Sequence, residues 1–321
     1  MYGGHVLRKV RLACGLVTAL GLVMMAAISA AGPAGAQAGG AKEATLSVCH
    51  SARHPALAAR LSAGIIVALR GRSSAVGLTV DDQVTGVTCK LHPHWHIDSA
   101  SVVKVTILSA LLRKLQEQHR SLTAQQRQLA TAMITVSDNN AASTLWEETG
   151  HPSLQHFLNL AGMTETVLGP DGYWGLTQIT AHDELTLLML LTSKNSVLSA
   201  TSCNFVLYLM AHVIPSQRWG VPAGAPVGVT VHVKNGWLPQ PTHGWRINSI
   251  GSFSGRGRDY MIVVLTWNNP TMTYGVDTVQ DVAEVINHDL NPGVTAVIPA
   301  SQPYPSWGTP DEQIPAPTGH S

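Results

Sequence analysis

The stretch Ile97-Asp98-Ser99-Ala100-Ser101-Val102-Val103-Lys104 decides how the chain is read. An apolar run follows it, with Val105, Leu108, Leu111, Leu112 and Leu115 at helical spacing, so a helix is expected to present Ser101 and Lys104 on one face, three residues apart. At that spacing an amine can reach a hydroxyl, and a hydroxyl becomes a nucleophile only when a base takes its proton. Ser-x-x-Lys alone is common by chance. Two further pieces, Ser137-Asp138-Asn139 and Lys234-Asn235-Gly236, give it weight if the fold brings all three together.

Working outward, residues 1–36 read as an export signal. Arg8, Lys9 and Arg11 form a positive start, a largely apolar run follows, and Ala34-Gly35-Ala36 offers small residues for cleavage. Cys14 precedes the apolar run and is badly placed for lipid attachment. Losing those three basic residues lowers Lys+Arg from 20 to 17 against an unchanged 19 Asp+Glu, a balance near −2 that gives no electrostatic reason for nucleic acid or anionic lipid as a partner. With charged residues at only 12% of the chain, a secreted, extracytoplasmic protein with no membrane span after cleavage is expected. An oxidising compartment permits one bridge among Cys49, Cys89 and Cys203, and Cys49–Cys89 is the expected pair, tying the N-terminal segment to an early strand. No Cys-x-x-Cys occurs, and His92, His94 and His96 lack a cluster of acidic or thiol partners, so neither a metal nor a cofactor is expected.

Residues 37–54 are the mature N-terminal segment, untethered over its small, polar first part. From Pro55, Leu57, Leu61, Ile65 and Leu69 recur every four residues and predict a helix ending at Gly71. Residues 76–80 and 87–91 read as paired strands. Thr123 with Gln126 forms a capping-box pattern opening a second helix of the central block. Strands are expected at 227–233, 245–253 and 260–267, and a terminal helix at 276–288. The order is helix, two strands, a long helical block, three strands, helix. It predicts an α+β domain over 55–290: an antiparallel sheet built from both ends of the chain with the terminal helices packed on it, and a helical region inserted over 101–225. Residues 291–321 read as a disordered Pro/Ser-rich tail.

The three motifs in this order resemble the penicillin-recognising serine enzymes, and specifically class A β-lactamases, over roughly residues 55–290. The resemblance implies the β-lactamase/transpeptidase-like fold. It also implies Ser101 as acylated nucleophile, Lys104 and Ser137 as proton carriers, and the backbone N–H groups of Ser101 and Trp237 as the oxyanion hole. Asn139, Lys234, Asn235 and Gly236 would bind substrate, with Arg246 a further candidate on the next strand. The chemistry agrees: a buried Lys104 beside cationic Lys234 would carry a depressed pKa, and Ser137 could relay a proton to a leaving nitrogen.

Two departures from the family pattern stand out. The middle residue of the third motif is normally Thr or Ser; here Asn235 would have to donate the carboxylate bond through its amide. In the loop where the family places a deacylating glutamate followed by an asparagine, residues 162–180 hold only Glu165 and Asp171 as candidate bases and no asparagine. The expected function is therefore a monomeric exported serine hydrolase that takes a β-lactam or related amide through an acyl-enzyme on Ser101. One alternative is a D-alanyl peptidase or esterase-like enzyme with slow deacylation, acting on a peptide or ester. Another is a non-catalytic module binding cell-wall peptide, with Trp174, Trp237 and Trp245 along the cleft.

Overall fold

The computed structural model describes residues 47–303, so the expected signal (1–36), residues 37–46 and the tail from 304 lie outside it. Six strands form one antiparallel sheet. In chain order they are β1 (Cys49–His50), β2 (Ala75–Asp82), β3 (Val87–Leu91) and, after a two-stranded pairing of β4 (Ile97–Asp98) with β5 (Gln178–Ile179), β6 (Thr230–Pro239), β7 (Trp245–Gly255) and β8 (Arg258–Asn269). The order across the large sheet is β1-β3-β2-β8-β7-β6, so β2 from the front of the chain pairs with β8 from the back. That is the sheet expected from both ends of the sequence.

Helices α1 (Pro55–Leu69) and α8 (Met272–Leu290) pack on each other, and α8 lies against β7 and β8. Proline at the start of α1 supplies no N–H where none is needed, and the four-residue repeat buries Leu61 and Ile65 completely. Every residue from Tyr260 to Leu265 on β8 is buried, which requires cover on both faces of the sheet. Between β4 and β6 run α2 (Lys104–Glu117), α3 (Ala124–Thr135), α4 (Asn139–Thr149), α5 (His151–Ala161), α6 (Ala181–Thr192) and α7 (Ala200–Ala211), with α6 against β2 and β8. The Thr123–Gln126 capping box forms in both directions at the start of α3.

Cys49 stands opposite Cys89 in the β1–β3 register, and the two are joined by a disulfide; Cys203 is a buried free thiol. Val48 is buried and its carbonyl accepts from Lys90 N–H, so the N-terminal segment is tied to the sheet from there on.

The expected disorder beyond Asn291 does not hold for residues 292–303. Ile298 N–H donates to Ala225 O, and Gly224 and Val227 donate to Ile298 and Ala296 carbonyls. The Pro-rich composition hid this pairing, because Val297 and Ile298 supply both the extended backbone and the apolar contact.

Candidate active site

Ser101 lies in a 3-10 turn, Ala100–Val103, that leads directly into α2, so Lys104 opens the helix one turn after it. Ala100 takes φ 47°, a left-handed conformation that costs a non-glycine residue roughly 1–2 kcal/mol. Backbone strain of this kind persists only where the surroundings hold it. Here Ser99 N–H donates to Thr177 O, and Asn248 Nδ2 donates to the carbonyls of Asp98 and Ser99 at 2.9 and 3.2 Å. Asn248 thereby straps the serine turn to the sheet.

Lys104 is fully buried. Its Nζ donates to Ser137 O at 2.6 Å, Asn139 Oδ1 at 2.8 Å and Ser137 Oγ at 3.2 Å, and the indole face of Trp174 lies 4.7 Å away. Ser137 sits at φ 61° between α3 and α4, a conformation that aims its carbonyl and its hydroxyl at one amine. Asp138 follows as the N-cap of α4, its side chain accepting from Ala141 N–H, and Asn139 is the first helical residue. Burial, then the neighbouring Lys234 charge, drives the Lys104 pKa well below the usual lysine value, with Asp138 opposing.

Lys234 reaches the same hydroxyl from β6: its Nζ donates to Ser137 Oγ at 3.0 Å and to Asn235 O at 2.8 Å. Burial lowers its pKa to about 7. Among the described residues, one N–H of the ammonium stays uncommitted and can meet an anionic group. Gly236 brings β6 against the serine turn. A Cβ there would lie 2.7 Å from Ser99 O and 2.9 Å from Ser101 N, so only glycine allows the approach that sets Ser101 N–H beside the strand carrying Trp237.

Several expected binding residues are committed elsewhere. Both amide protons of Asn235 go to the carbonyls of Gln217 and Trp219, at 2.8 and 2.9 Å, which leaves none for a substrate carboxylate. The side chain follows strand alternation and points away from that of Lys234. Arg246 is buried and donates to Asp98 and to the carbonyls of Thr242 and Gly244, stapling β7 to β4. The carboxylate of Glu165 is held by His94 at 2.7 Å and by the Thr180 hydroxyl at 2.9 Å; partial burial pushes its pKa up, but these bonds outweigh that and hold it below the ordinary value. None of its bonds reaches Ser101, Lys104 or Ser137. His96 also binds the backbone of Glu165, so two of the three histidines of the His-rich segment anchor the 165 region. Asp171 lies in a 3-10 turn, Pro170–Gly172. Trp174 and Trp237 are buried, so they cannot form the exposed aromatic edge expected of a binding module; Trp237 packs on Trp219 with ring centroids 6.0 Å apart.

A sequence model described as the "Beta-lactamase enzyme family" matches residues 122–290, which is more than half of the chain and includes Ser137 and Lys234. The chain belongs to the beta-lactamase enzyme family. Its fold is that of solved class A members. A class A β-lactamase from Bacteroides cellulosilyticus superposes with TM-score 0.64 at 18% identity, covering 73% of this chain and 98% of the other. TLA-3 extended-spectrum β-lactamase gives 0.65 at 17%, covering 72% and 98%. A PBP-A variant solved as an acyl-enzyme complex with penicillin G gives 0.62 at 18%, covering 72% and 96%. At these identities the likeness carries the fold alone. Curated proteins from Mycobacterium tuberculosis and Mycobacterium bovis, named "Putative lipoprotein LppW", are 26% identical over 203 residues, or 60% of this chain. The match spans 64% of the length of those relatives.

In this β-lactamase-family chain, then, the three motifs seen in the sequence meet at one oxygen. Ser137 Oγ can accept from the Lys234 ammonium while donating to a neutral Lys104 amine. A hydroxyl so placed can carry a proton between them. No sequence signal ties Trp174, expected only along an aromatic cleft edge, or Asn248 to the contacts they make with Lys104 and the serine turn. Trp174 lies in an aperiodic loop and Asn248 on a strand, and neither belongs to a spaced motif.

Proposed function

We propose that the protein is an exported active-site serine enzyme that takes a β-lactam or related amide through an acyl-enzyme on Ser101. The observation that carries this reading is Ser137 Oγ lying 3.2 Å from Lys104 Nζ and 3.0 Å from Lys234 Nζ, with both amines wholly buried. A structural lysine has no reason to accept that desolvation twice within one cluster.

Lys104, as free amine, takes the proton of Ser101 as Oγ attacks the acyl carbon. The negative charge on the carbonyl oxygen is met by the N–H groups of Ser101 and Trp237, donors of a kind worth about 3 kcal/mol each. The C–N bond then breaks, and the nitrogen leaves with a proton passed through Ser137. Lys234 directs its remaining N–H at the substrate carboxylate, unassisted by Asn235. Export by residues 1–36 and likeness to proteins named lipoproteins fit an extracytoplasmic enzyme acting as a monomer. A second reading, a peptidase- or esterase-like enzyme with slow deacylation, is favoured by the engagement of Glu165 with His94 and Thr180.

The test is intact mass after mixing with benzylpenicillin, followed over time and paired with turnover of a chromogenic cephalosporin. The expected result is a stoichiometric adduct that Ser101→Ala abolishes. An adduct that survives in Ser101→Ala, or no adduct and no turnover in the native chain, overturns the reading.

A further inference from the structure

We propose that a cavity between α2, α3 and α7, remote from the serine turn, binds a small carboxylate carrying a single apolar chain, of the medium-chain fatty acid class. The inference goes beyond the proposed function and does not rest on Ser101 being an acyl carrier.

The cavity has a volume of about 280 Å³. Helix α2 carries Lys104 at its start and two of the cavity's apolar residues, Leu112 and Leu115, towards its end; at 1.5 Å per residue, Leu112 lies about 12 Å along the axis from Lys104. Leu122 and Phe205, both half-buried, complete the apolar lining. Its walls are fixed rather than loose: Gln116 Oε1 accepts from Ser199 N–H at 2.8 Å, joining the end of α2 to the N-cap of α7, and Arg113 Nη1 donates to Val197 O at 2.8 Å. Two cations share the lining, Arg120 and Arg127, and no Asp or Glu does. Arg60, Arg72, Arg113 and Arg246 each hold a carboxylate. Among the described residues the guanidinium groups of Arg120 and Arg127 hold none: the first has a 3.4 Å bond to Gln118 Oε1, and the second stacks on the Phe205 ring at 5.1 Å. A guanidinium stacked by its face keeps the N–H groups of its edge free to donate.

Apolar walls alone would take any hydrophobic group, and arginines alone any anion. The two together select an anion with an apolar tail. A carboxylate matches the donor fork of a guanidinium through two parallel N–H bonds, and its single charge can be met by either arginine without stripping water from a dianion. The volume lies at the small end of ligand pockets, which fits one short chain rather than a two-chain lipid. The chain would lie against Leu112, Leu115 and Leu122, with its head turned to the arginines.

The experiment is calorimetric titration of the full chain with octanoate, and with octylamine as the same chain bearing the opposite charge. Octanoate should bind one-to-one, and octylamine at least about tenfold more weakly. The double variant Arg120→Gln, Arg127→Gln removes two exposed side chains that hold no ion pair, so it should unfold at the native temperature while losing at least about tenfold in octanoate affinity. Ser101→Ala should bind octanoate as the native chain does, and backbone amide shifts on titration should centre on Leu115, Leu122 and Phe205. Octanoate binding weaker than about 1 mM overturns the inference, as does equal binding of octylamine or undiminished binding by the double variant. Loss of binding in Ser101→Ala, or shifts centred on the serine turn, would put the carboxylate in the other cleft and overturn it equally. Penicillin adduct formation has no part in these readouts, so the reading of Ser101 stands or falls separately.

Discussion

Lys104 and Lys234 share one acceptor, Ser137 Oγ, at 3.2 and 3.0 Å. Two ammonium groups held so close disfavour each other, and burial disfavours both, driving the Lys104 pKa well below its ordinary value and that of Lys234 to about 7. The proposed acylation requires one amine free and the other cationic. The rate of adduct formation should rise as Lys104 loses its proton and fall as Lys234 loses its own near pH 7. Lys234→Arg, which does not titrate, should remove the alkaline limb whatever it does to the absolute rate. Adduct formation measured between about pH 5 and 9 checks this; a native profile that climbs steadily to pH 9 would contradict the assigned role of Lys234.

Gly236→Ala should uncouple activity from folding. The added methyl would sit 2.7 Å from Ser99 O and 2.9 Å from Ser101 N, pushing the serine turn away from β6. Acylation should drop by about a hundredfold or more, as expected when an oxyanion donor moves off target, while stability falls by about 1–3 kcal/mol. Adduct kinetics and thermal unfolding on the same sample separate the two effects.

Glu184 on α6 is wholly buried, and neither of its oxygens finds a partner among the described residues. Burial, then the Asp183 charge, pushes its pKa from 4.5 up to about 8. The folded state therefore binds a proton that the unfolded state has released. Stability from this group is greatest below about pH 4.5 and is lost as pH rises through about 8, by on the order of 5 kcal/mol across the window. Lys234 runs the other way: with a folded pKa near 7 against 10.5, it contributes stability that grows as pH rises through that interval. Glu184→Met should flatten the decline below pH 7 and raise the melting temperature at neutral pH; an unchanged pH profile would show that Glu184 is not its source.

Removing the Cys49–Cys89 bridge should destabilise the fold by up to about 4 kcal/mol, since the bonded residues are 40 apart and loop closure restrains the unfolded chain. Denaturant midpoints of the native chain and the Cys49→Ser, Cys89→Ser double variant provide the measurement. Because the bridge lies at the far edge of the sheet from β6, penicillin adduct formation at low denaturant should be unaffected.

The elements that place the site were legible because each carries a local signal: apolar spacing for α2, a capping box for α3, β-branched runs for β7 and β8. The convergence of Ser101's turn, Ser137 and Lys234 followed from known motif order. What stayed hidden depends on direction rather than type. Nothing in the sequence says that Ala100 and Ser137 take left-handed backbone, or that Asn235 turns its amide to Gln217 and Trp219. Arg246, a candidate for substrate binding from its place on the next strand, is instead paired with Asp98, a contact that only the juxtaposition of β4 and β7 reveals. Trp174 reads as part of an aromatic cleft edge, and only the position of Lys104 Nζ shows its ring buried against that amine.

Residues 292–303 run beside residues 224–227, and Gln280 Oε1 accepts from both Ser301 N–H and Gly220 N–H. The last described residues thus share a fastening with the loop whose carbonyls hold Asn235, the immediate neighbour of Lys234. A protease cut just past α8 would leave every motif residue intact yet slacken the mooring of the strand that delivers Lys234.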